Sequence, residues 1–277
     1  MLDMLLVDDI ILRALKEDMP MGDLTPDSTV PVDEVCAANL IAKEDGVIAG
    51  LDVFSRVFTL LDTKVYMERY VNDGDFVKAG TRIMHISGNA RAMLKAERTS
   101  LNLLQRMSGI ASATRKFVSA LEGTSSKIVD TRKTVPGLRY LDKYAVRAGG
   151  GTNHRFCLSD GILIKDNHIK ASGGITAAVE RARILAPHTI RIEVETESMC
   201  QIKEALEAGA DIIMLDNMKP DAMKEAVGYI NGRALTEASG NITLENAEII
   251  AKTGVDLISS GSLTHSVKAM DISLRFD

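Results

Sequence analysis

Between Thr131 and Ile169 the chain reads TRKTVPGLRYLDKYAVRAGGGTNHRFCLSDGILIKDNHI. Arg132, Lys133, Arg139, Lys143, Arg147, Arg155 and Lys165 fall inside this stretch, and Lys170 lies just beyond it. Asp142, Asp160 and Asp166 oppose them, and His154 and His168 add further donors. The protein as a whole carries a net charge of −5. A basic cluster inside an acidic chain is a local trap for a small anion. Arginine forks match planar carboxylates, and lysine supplies compact charge. Any one of these side chains alone would be a solvated loop charge, the usual fate of Lys and Arg.

Two further sets offer different chemistry. Glu195 and Asp216 are carboxylates that can accept hydrogen bonds from sugar hydroxyls or help hold a hydrated Mg2+. Ser239-Gly240 and Ser260-Gly261-Ser262 are glycine turns that close a strand and open a helix, an arrangement that presents backbone N–H groups to a phosphate. His265 follows four residues after Gly261 and either reaches the same anion or packs in its helix. Together the three sets suit a ligand that carries carboxylates, a sugar and phosphate.

The elements that must hold these residues follow from the rhythm of the chain. From Lys127 onward KIVDT, GILI, IRIEVE, DIIMLD, ALTEAS and DLISSG read as short strands. Between them ITAAVERARIL, MCQIKEALEAG, PDAMKEAVGYI and TLENAEIIAKTG read as helices. Repeated strand–helix units predict a parallel sheet, closed or nearly closed as a barrel. Glu195, Asp216, Ser239 and Ser260 recur at strand ends about one compact unit apart, so all four are expected at one mouth. Lys165 ends GILI, and Arg132-Lys133 precede the turn signal Pro136-Gly137.

The first ninety residues predict a small mixed α/β layer. Residues 5–17 read as a helix with Leu5, Leu6, Ile10, Ile11 and Leu15 near one side. Cys36–Ala42 reads as a strand that turns at Glu44-Asp45-Gly46 and returns over Val47–Ala49, followed by a helix over Leu51–Leu61. Lys64–Val71 and Thr81–Ser87 flank NDGDFVKAG, a tight hairpin with Gly74 and Gly80 at special positions. Ala90–Leu121 reads as helix, broken or bent near Gly109, with Leu101, Leu104 and Ile110 on its packing side. Arg98 falls on this helix, where a surface partner for an acid such as Glu97 would be the ordinary role.

Composition narrows the classes. Trp is absent and aromatics make up 4%, which excludes a stacking surface for nucleic acid, and the acidic balance argues against phosphate-backbone binding. Cys36, Cys157 and Cys200 are scattered without metal-ligand spacing, as expected of reduced cytosolic thiols. The N-terminus is acidic and amphipathic rather than a signal peptide, and no apolar run is long enough for a membrane span. A cytoplasmic protein is expected.

TRKT-PG, GGG-x-NHR and LIKDNHI, in this order, resemble the quinolinate phosphoribosyltransferases, and the resemblance extends over essentially the whole chain. It implies an incomplete α/β barrel of fewer than eight regular strands over residues 106–265. A smaller N-terminal α/β sandwich domain would span residues 1–105, joined by the tail at about 266–277. It also implies the reaction: the pyridine nitrogen of quinolinate displaces pyrophosphate at C1 of phosphoribosyl pyrophosphate, and the 2-carboxylate leaves as CO2. Mg2+ accompanies the pyrophosphate, and no organic cofactor is needed. Lys133, Lys165, Glu195 and Asp216 would be catalytic. Arg98, Arg132, Lys133, His154, Arg155, Lys165, Glu195, Asp216, Ser239, Gly240, Ser260, Gly261 and His265 would bind substrate. The implied assembly is a homodimer, with Arg98 donated across the interface. Cys157 stands where relatives often have glycine, and Ser260 where a small apolar residue is frequent. A molybdate-transport-associated family shares TRKT and HR, but Lys165-Asp166-Asn167-His168 argues against it. Two other classes fit parts of the pattern: a Schiff-base barrel lyase using Lys165, and a non-catalytic phosphometabolite-binding protein.

Overall fold

The computed structural model describes residues 2–277. In chain order the elements are α1 (Met4–Asp18), α2 (Leu24–Thr29), β1 (Val35–Ala42), β2 (Gly46–Val47), α3 (Leu51–Leu61), β3 (Tyr66–Arg69), β4 (Phe76–Val77), β5 (Arg82–Asn89) and α4 (Ala90–Ala120). There follow β6 (Lys127–Val129), α5 (Arg139–Ala148), β7 (Ile162–Ile164), α6 (Asp166–Ser172), α7 (Ile175–Leu185), β8 (Ile192–Thr196), α8 (Met199–Glu207) and β9 (Ile212–Asp216). The chain ends with α9 (Pro220–Ile230), β10 (Leu235–Ser239), α10 (Leu244–Ala251), β11 (Leu257–Ser259), α11 (Ser262–His265) and β12 (Ile272–Phe276). They group into two compact units. The first holds residues 1–115, 134–150 and 264–277; the second holds 116–133 and 151–263.

The first unit is built on an antiparallel sheet in the order β12-β1-β5-β3. The C-terminal strand β12 pairs with β1, so the tail returns to this unit. The expected return strand after Gly46 does not pair with β1: β2 pairs with β4 instead, because β1 already has β12 and β5 on its two edges. Tyr66–Arg69 and Arg82–Asn89 pair as a hairpin, and Gly74 and Gly80 have φ of 94° and 88°, which only glycine adopts cheaply. In α1 the buried face is Val7, Ile10, Ile11 and Leu15, a one-turn stack. Leu5 and Leu6 fall off that stack and are exposed, against the side predicted for them.

Gly109 does not break α4, which runs unbroken for 31 residues. A Cβ there would stand 2.3 Å from the Lys268 carbonyl oxygen, so the glycine serves close approach of the tail. Leu101, Leu104 and Ile110 are buried, as expected. In α5, which carries Arg139, Lys143 and Arg147, Asp142 is fully buried and takes a two-pronged bond from Arg106 at 2.9 and 2.8 Å. Burial pushes that carboxyl up against the pull of Arg106. Three of the basic residues of the Thr131–Ile169 stretch are thereby placed in the first unit.

The second unit is a six-stranded parallel sheet in the order β6-β11-β10-β9-β8-β7. The six predicted strands all form. Helices α7 and α9 occupy the predicted residues, and α9 starts with proline at its first position and ends on Asn231 at φ 46°. β6 and β7 are the two edges, yet residues following both line one cavity with residues from every strand between. The sheet therefore curls into a barrel left open between its edges. Strand alternation decides which side chains enter. Glu193 and Glu195, Met214 and Asp216, Glu237 and Ser239 are i, i+2 pairs, and the register sets Glu195 and Glu237 on either side of Met214. Ile213, Leu215 and Ala238 take the other face and are fully buried.

Candidate active site

At the carboxyl ends of the barrel strands lies a cavity of about 620 Å3. It is lined by Arg132, Lys133, His154, Arg155, Lys165, Glu195, Asp216, Ser239 and Gly240, nine of the residues expected to act on substrate. The loop carrying His154 and Arg155 is pinned by Asp130, which is fully buried. Asp130 accepts the His154 N–H at 3.0 Å and the Asn153 side-chain amide. In the sequence Asp130 is marked only as an acid directly after the apolar strand β6.

Arg155 is held by a bond from its guanidinium to the Gly161 carbonyl at 2.7 Å. Burial first, and then the neighbouring Arg132, push Arg155 below the usual arginine range. Two guanidinium groups that disfavour each other's charge are stabilised by an anion between them. Lys165 Nζ pairs with Glu195 Oε2 at 2.6 Å, so cation and acid neutralise one another without substrate. His168 faces its own helix: its Nδ1 accepts the Lys165 N–H at 2.9 Å and caps α6. Lys170 pairs with Asp166 one turn away on the exposed face of α6.

Asp216 is steered by its neighbour. Asn217, at φ 51°, donates its amide to Asp216 Oδ2 at 2.7 Å and accepts from Asn241 at 3.1 Å. Gly240, at φ 91°, would place a Cβ 2.3 Å from the Asn217 amide oxygen, so only glycine allows this bridge. Asn217 and Asn241 line the cavity as well. Thr243 and Asn246 cap the first turn of α10, which leaves the turn at Gly240 as the part of this segment facing the cavity.

Four expected site residues are not among those lining the cavity. Ser260 is buried, its hydroxyl 2.7 Å from Ser262 and 3.4 Å from the Ile242 carbonyl. Ser259 takes its place in the cavity, because alternation along β11 turns that residue inward. Gly261 lies beside Ser260 in the same turn, outside the lining. His265 belongs to the first unit and is bonded to Ser266. Arg98 also belongs to the first unit; it is exposed and makes no ion pair within the chain among the described residues. Two residues before Glu195 and Ser239 stand the buried acids Glu193 and Glu237, of which Glu237 lines the cavity. His154 Nε2 stands 3.1 Å from Glu193 and 3.6 Å from Glu237. The signal was present: each is an acid inside an apolar strand, two residues before an expected mouth residue.

Comparison with known proteins agrees with this architecture. The N-terminal domain of quinolinate phosphoribosyl transferase matches residues 23–108, and its C-terminal domain matches residues 110–275. A probable nicotinate-nucleotide pyrophosphorylase (carboxylating) of Bacillus subtilis strain 168 is 50% identical over 258 residues, 93% of this chain and 89% of that one. A mitochondrial quinolinate phosphoribosyltransferase (decarboxylating) 2a of Nicotiana tabacum is 46% identical, over 95% of this chain and 80% of that one. The crystal structure of NadC from Streptococcus pyogenes superimposes with a TM-score of 0.96 at 44% identity, covering 100% of this chain and 99% of that one. The chain belongs to the quinolinate phosphoribosyltransferase family.

Proposed function

We propose that this protein transfers phosphoribosyl from phosphoribosyl pyrophosphate to quinolinate with loss of CO2. The products are nicotinate mononucleotide and pyrophosphate, in de novo NAD biosynthesis. The observation that carries the reading is one cavity lined by Arg132, Lys133, Arg155 and Lys165 facing Glu195 and Asp216. Quinolinate has two adjacent carboxylates, and the guanidinium pair with Lys165 is the set that recognises them. Glu195 and Asp216 receive ribose hydroxyls, and the Ser239-Gly240 turn takes phosphate.

The attacking ring nitrogen needs no general base, so the protein supplies orientation and electrostatics. Lys165 leaves Glu195 for a substrate carboxylate, and Glu195 is released to the ribose. Mg2+ fits the donors present: Glu195 and Asp216 would offer hard oxygens to the water shell of an ion carried in with pyrophosphate. When bound, the ion offsets charge on the departing pyrophosphate. Lys165 is half exposed and ion-paired, the opposite of the desolvated amine that a Schiff-base lyase requires. The exposed, unpaired Arg98 suits donation to a neighbouring subunit's cavity in a homodimer. The protein works in the cytoplasm; among the described residues no helix is long and apolar enough to cross a membrane.

The test is a product balance with quinolinate, phosphoribosyl pyrophosphate and Mg2+. Pyrophosphate and CO2 should appear together in equal amounts. Tight binding of both substrates without pyrophosphate release would instead make the chain a phosphometabolite-binding protein.

A further inference from the structure

Glu237 in the cavity wall and Glu193 beside it are more acid than substrate recognition needs. Glu193 on β8 is 3% exposed and Glu237 on β10 is 1% exposed, and Glu237 lines the cavity. His154 stands against both. Its Nδ1 accepts the Arg155 backbone N–H at 2.7 Å, so that nitrogen bears no proton and the ring proton sits on Nε2. Nε2–H then donates to Glu193 Oε2 at 3.1 Å, so of the two buried acids Glu193 is the one the histidine serves.

Glu237 is left in a different state. Its Oε2 lies 3.6 Å from Nε2, beyond hydrogen-bond reach, and neither of its oxygens has a hydrogen-bond partner. One oxygen of Glu193 is also unpartnered, so the pair is a hydrogen short of what its acceptors can take. A second buried carboxylate beside the first, with little more than the Ser259 hydroxyl and His154 to oppose its burial, is costlier than a neutral acid. The groups facing Glu237 from the other elements agree. Burial and then the Glu193 charge push it up to about 7, against His154, the Ser259 hydroxyl and Lys165. The same three side chains have a spacing that a divalent ion could use, their ligand atoms lying within 4.8 Å. An ion would have to bind Nε2, which the Arg155 contact leaves protonated. The cluster therefore stores a proton.

The proposed reaction needs a proton in this cavity. Once the ring nitrogen bears ribose, the C2–carboxylate bond breaks, CO2 departs, and its electron pair remains on C2. Glu195 and Asp216, the other cavity acids, are the acceptors of the ribose hydroxyls in that reaction, and Asp216 also accepts from Asn217. We propose that Glu237 is the catalytic acid that protonates C2 as CO2 leaves. The Glu237 O–H bond breaks, the C2–H bond forms, and the carboxylate left behind regains a proton from water after product departs. This inference rests on the function proposed above and assigns its last chemical step.

The test is rapid quenching of Glu237→Gln and wild-type protein with quinolinate, phosphoribosyl pyrophosphate and Mg2+, measuring pyrophosphate, CO2 and ribosylated species by mass. A positioned acid contributes on the order of 10²-fold or more. Glu237→Gln should release pyrophosphate near the wild-type rate, release CO2 about 10²-fold more slowly, and accumulate quinolinate mononucleotide with its 2-carboxylate intact. Glu237→Asp, which keeps an acid, should recover part of the CO2 rate. CO2 release at the wild-type rate in Glu237→Gln overturns the proposal. So does a parallel loss of both products, since Glu237 would then act before decarboxylation. Wild-type protein that gives neither product would refute the function itself, a separate outcome.

Discussion

Arg155 is the residue on which recognition turns, because its surroundings oppose its charge. Burial and the adjacent Arg132 both work against it, so a carboxylate between the two guanidiniums relieves a cost already present. Truncating one partner of such a desolvated pair typically costs 2–5 kcal/mol. Arg155→Ala and Lys165→Ala should each lower kcat/KM for quinolinate by on the order of 10²-fold or more, with little change in melting temperature. Retained turnover in Lys165→Ala would remove that residue from the site. Glu237 makes a matching prediction for stability. Its folded pKa is raised to about 7 from a usual value near 4.5, so the folded state holds a proton that the unfolded chain releases. Stability from this group is complete below about pH 4.5 and is lost as pH rises through about 7. The full loss is on the order of 3 kcal/mol. Melting curves of Glu237→Gln against wild type should therefore separate in the variant's favour between pH 5 and pH 8. An unchanged difference would mean Glu237 ionises normally.

Elements explain which residues the sequence revealed and which it hid. The six strands from Lys127 onward were legible because each is a short apolar run followed by a polar residue and a helix. Glu195, Asp216 and Ser239 followed from their spacing alone. The inner pair Glu193 and Glu237 was legible in principle, since alternation repeats every second residue, but a reading aimed at strand ends stops before them. Ser260 was one residue out of phase for the same reason: inside and outside alternate, and β11 turns Ser259 inward. Pairings between distant segments were not legible. β2 joins β4, and β1 joins β12, through contacts that no local pattern encodes. Gly109 shows the difference sharply, for a helix-weakening residue sits inside the unbroken run of α4 where the Lys268 carbonyl approaches. Gly109→Ala gains up to about 1 kcal/mol of helix propensity. It should nevertheless lower stability by about 1–3 kcal/mol, because a backbone oxygen 2.3 Å from the new Cβ must move. A denaturant titration checks the sign, and stabilisation would mean the tail yields freely.

At the scale of the molecule, the barrel unit holds nine of the thirteen expected substrate-binding residues in one cavity, while Arg98 stands exposed in the first unit. If Arg98 completes a neighbour's cavity, Arg98→Ala and Lys165→Ala subunits refolded together should regain about a quarter of wild-type activity. Half of the dimers are then mixed, with one intact site of two. No recovery, with mixed dimers confirmed by mass, would place Arg98 outside the partner's site. The central claim, that this cationic cavity selects a pyridine with two adjacent carboxylates and removes one, is tested most directly by turnover of quinolinate and nicotinate side by side. Each would be supplied with phosphoribosyl pyrophosphate and Mg2+. Nicotinate lacks the carboxylate that part of the set exists to bind, and a site left unpaired in this way can reject an analogue by on the order of 10⁴-fold. The account predicts rapid pyrophosphate release matched by CO2 with quinolinate, and release lower by about that factor with nicotinate. Comparable turnover of the two acids would contradict it.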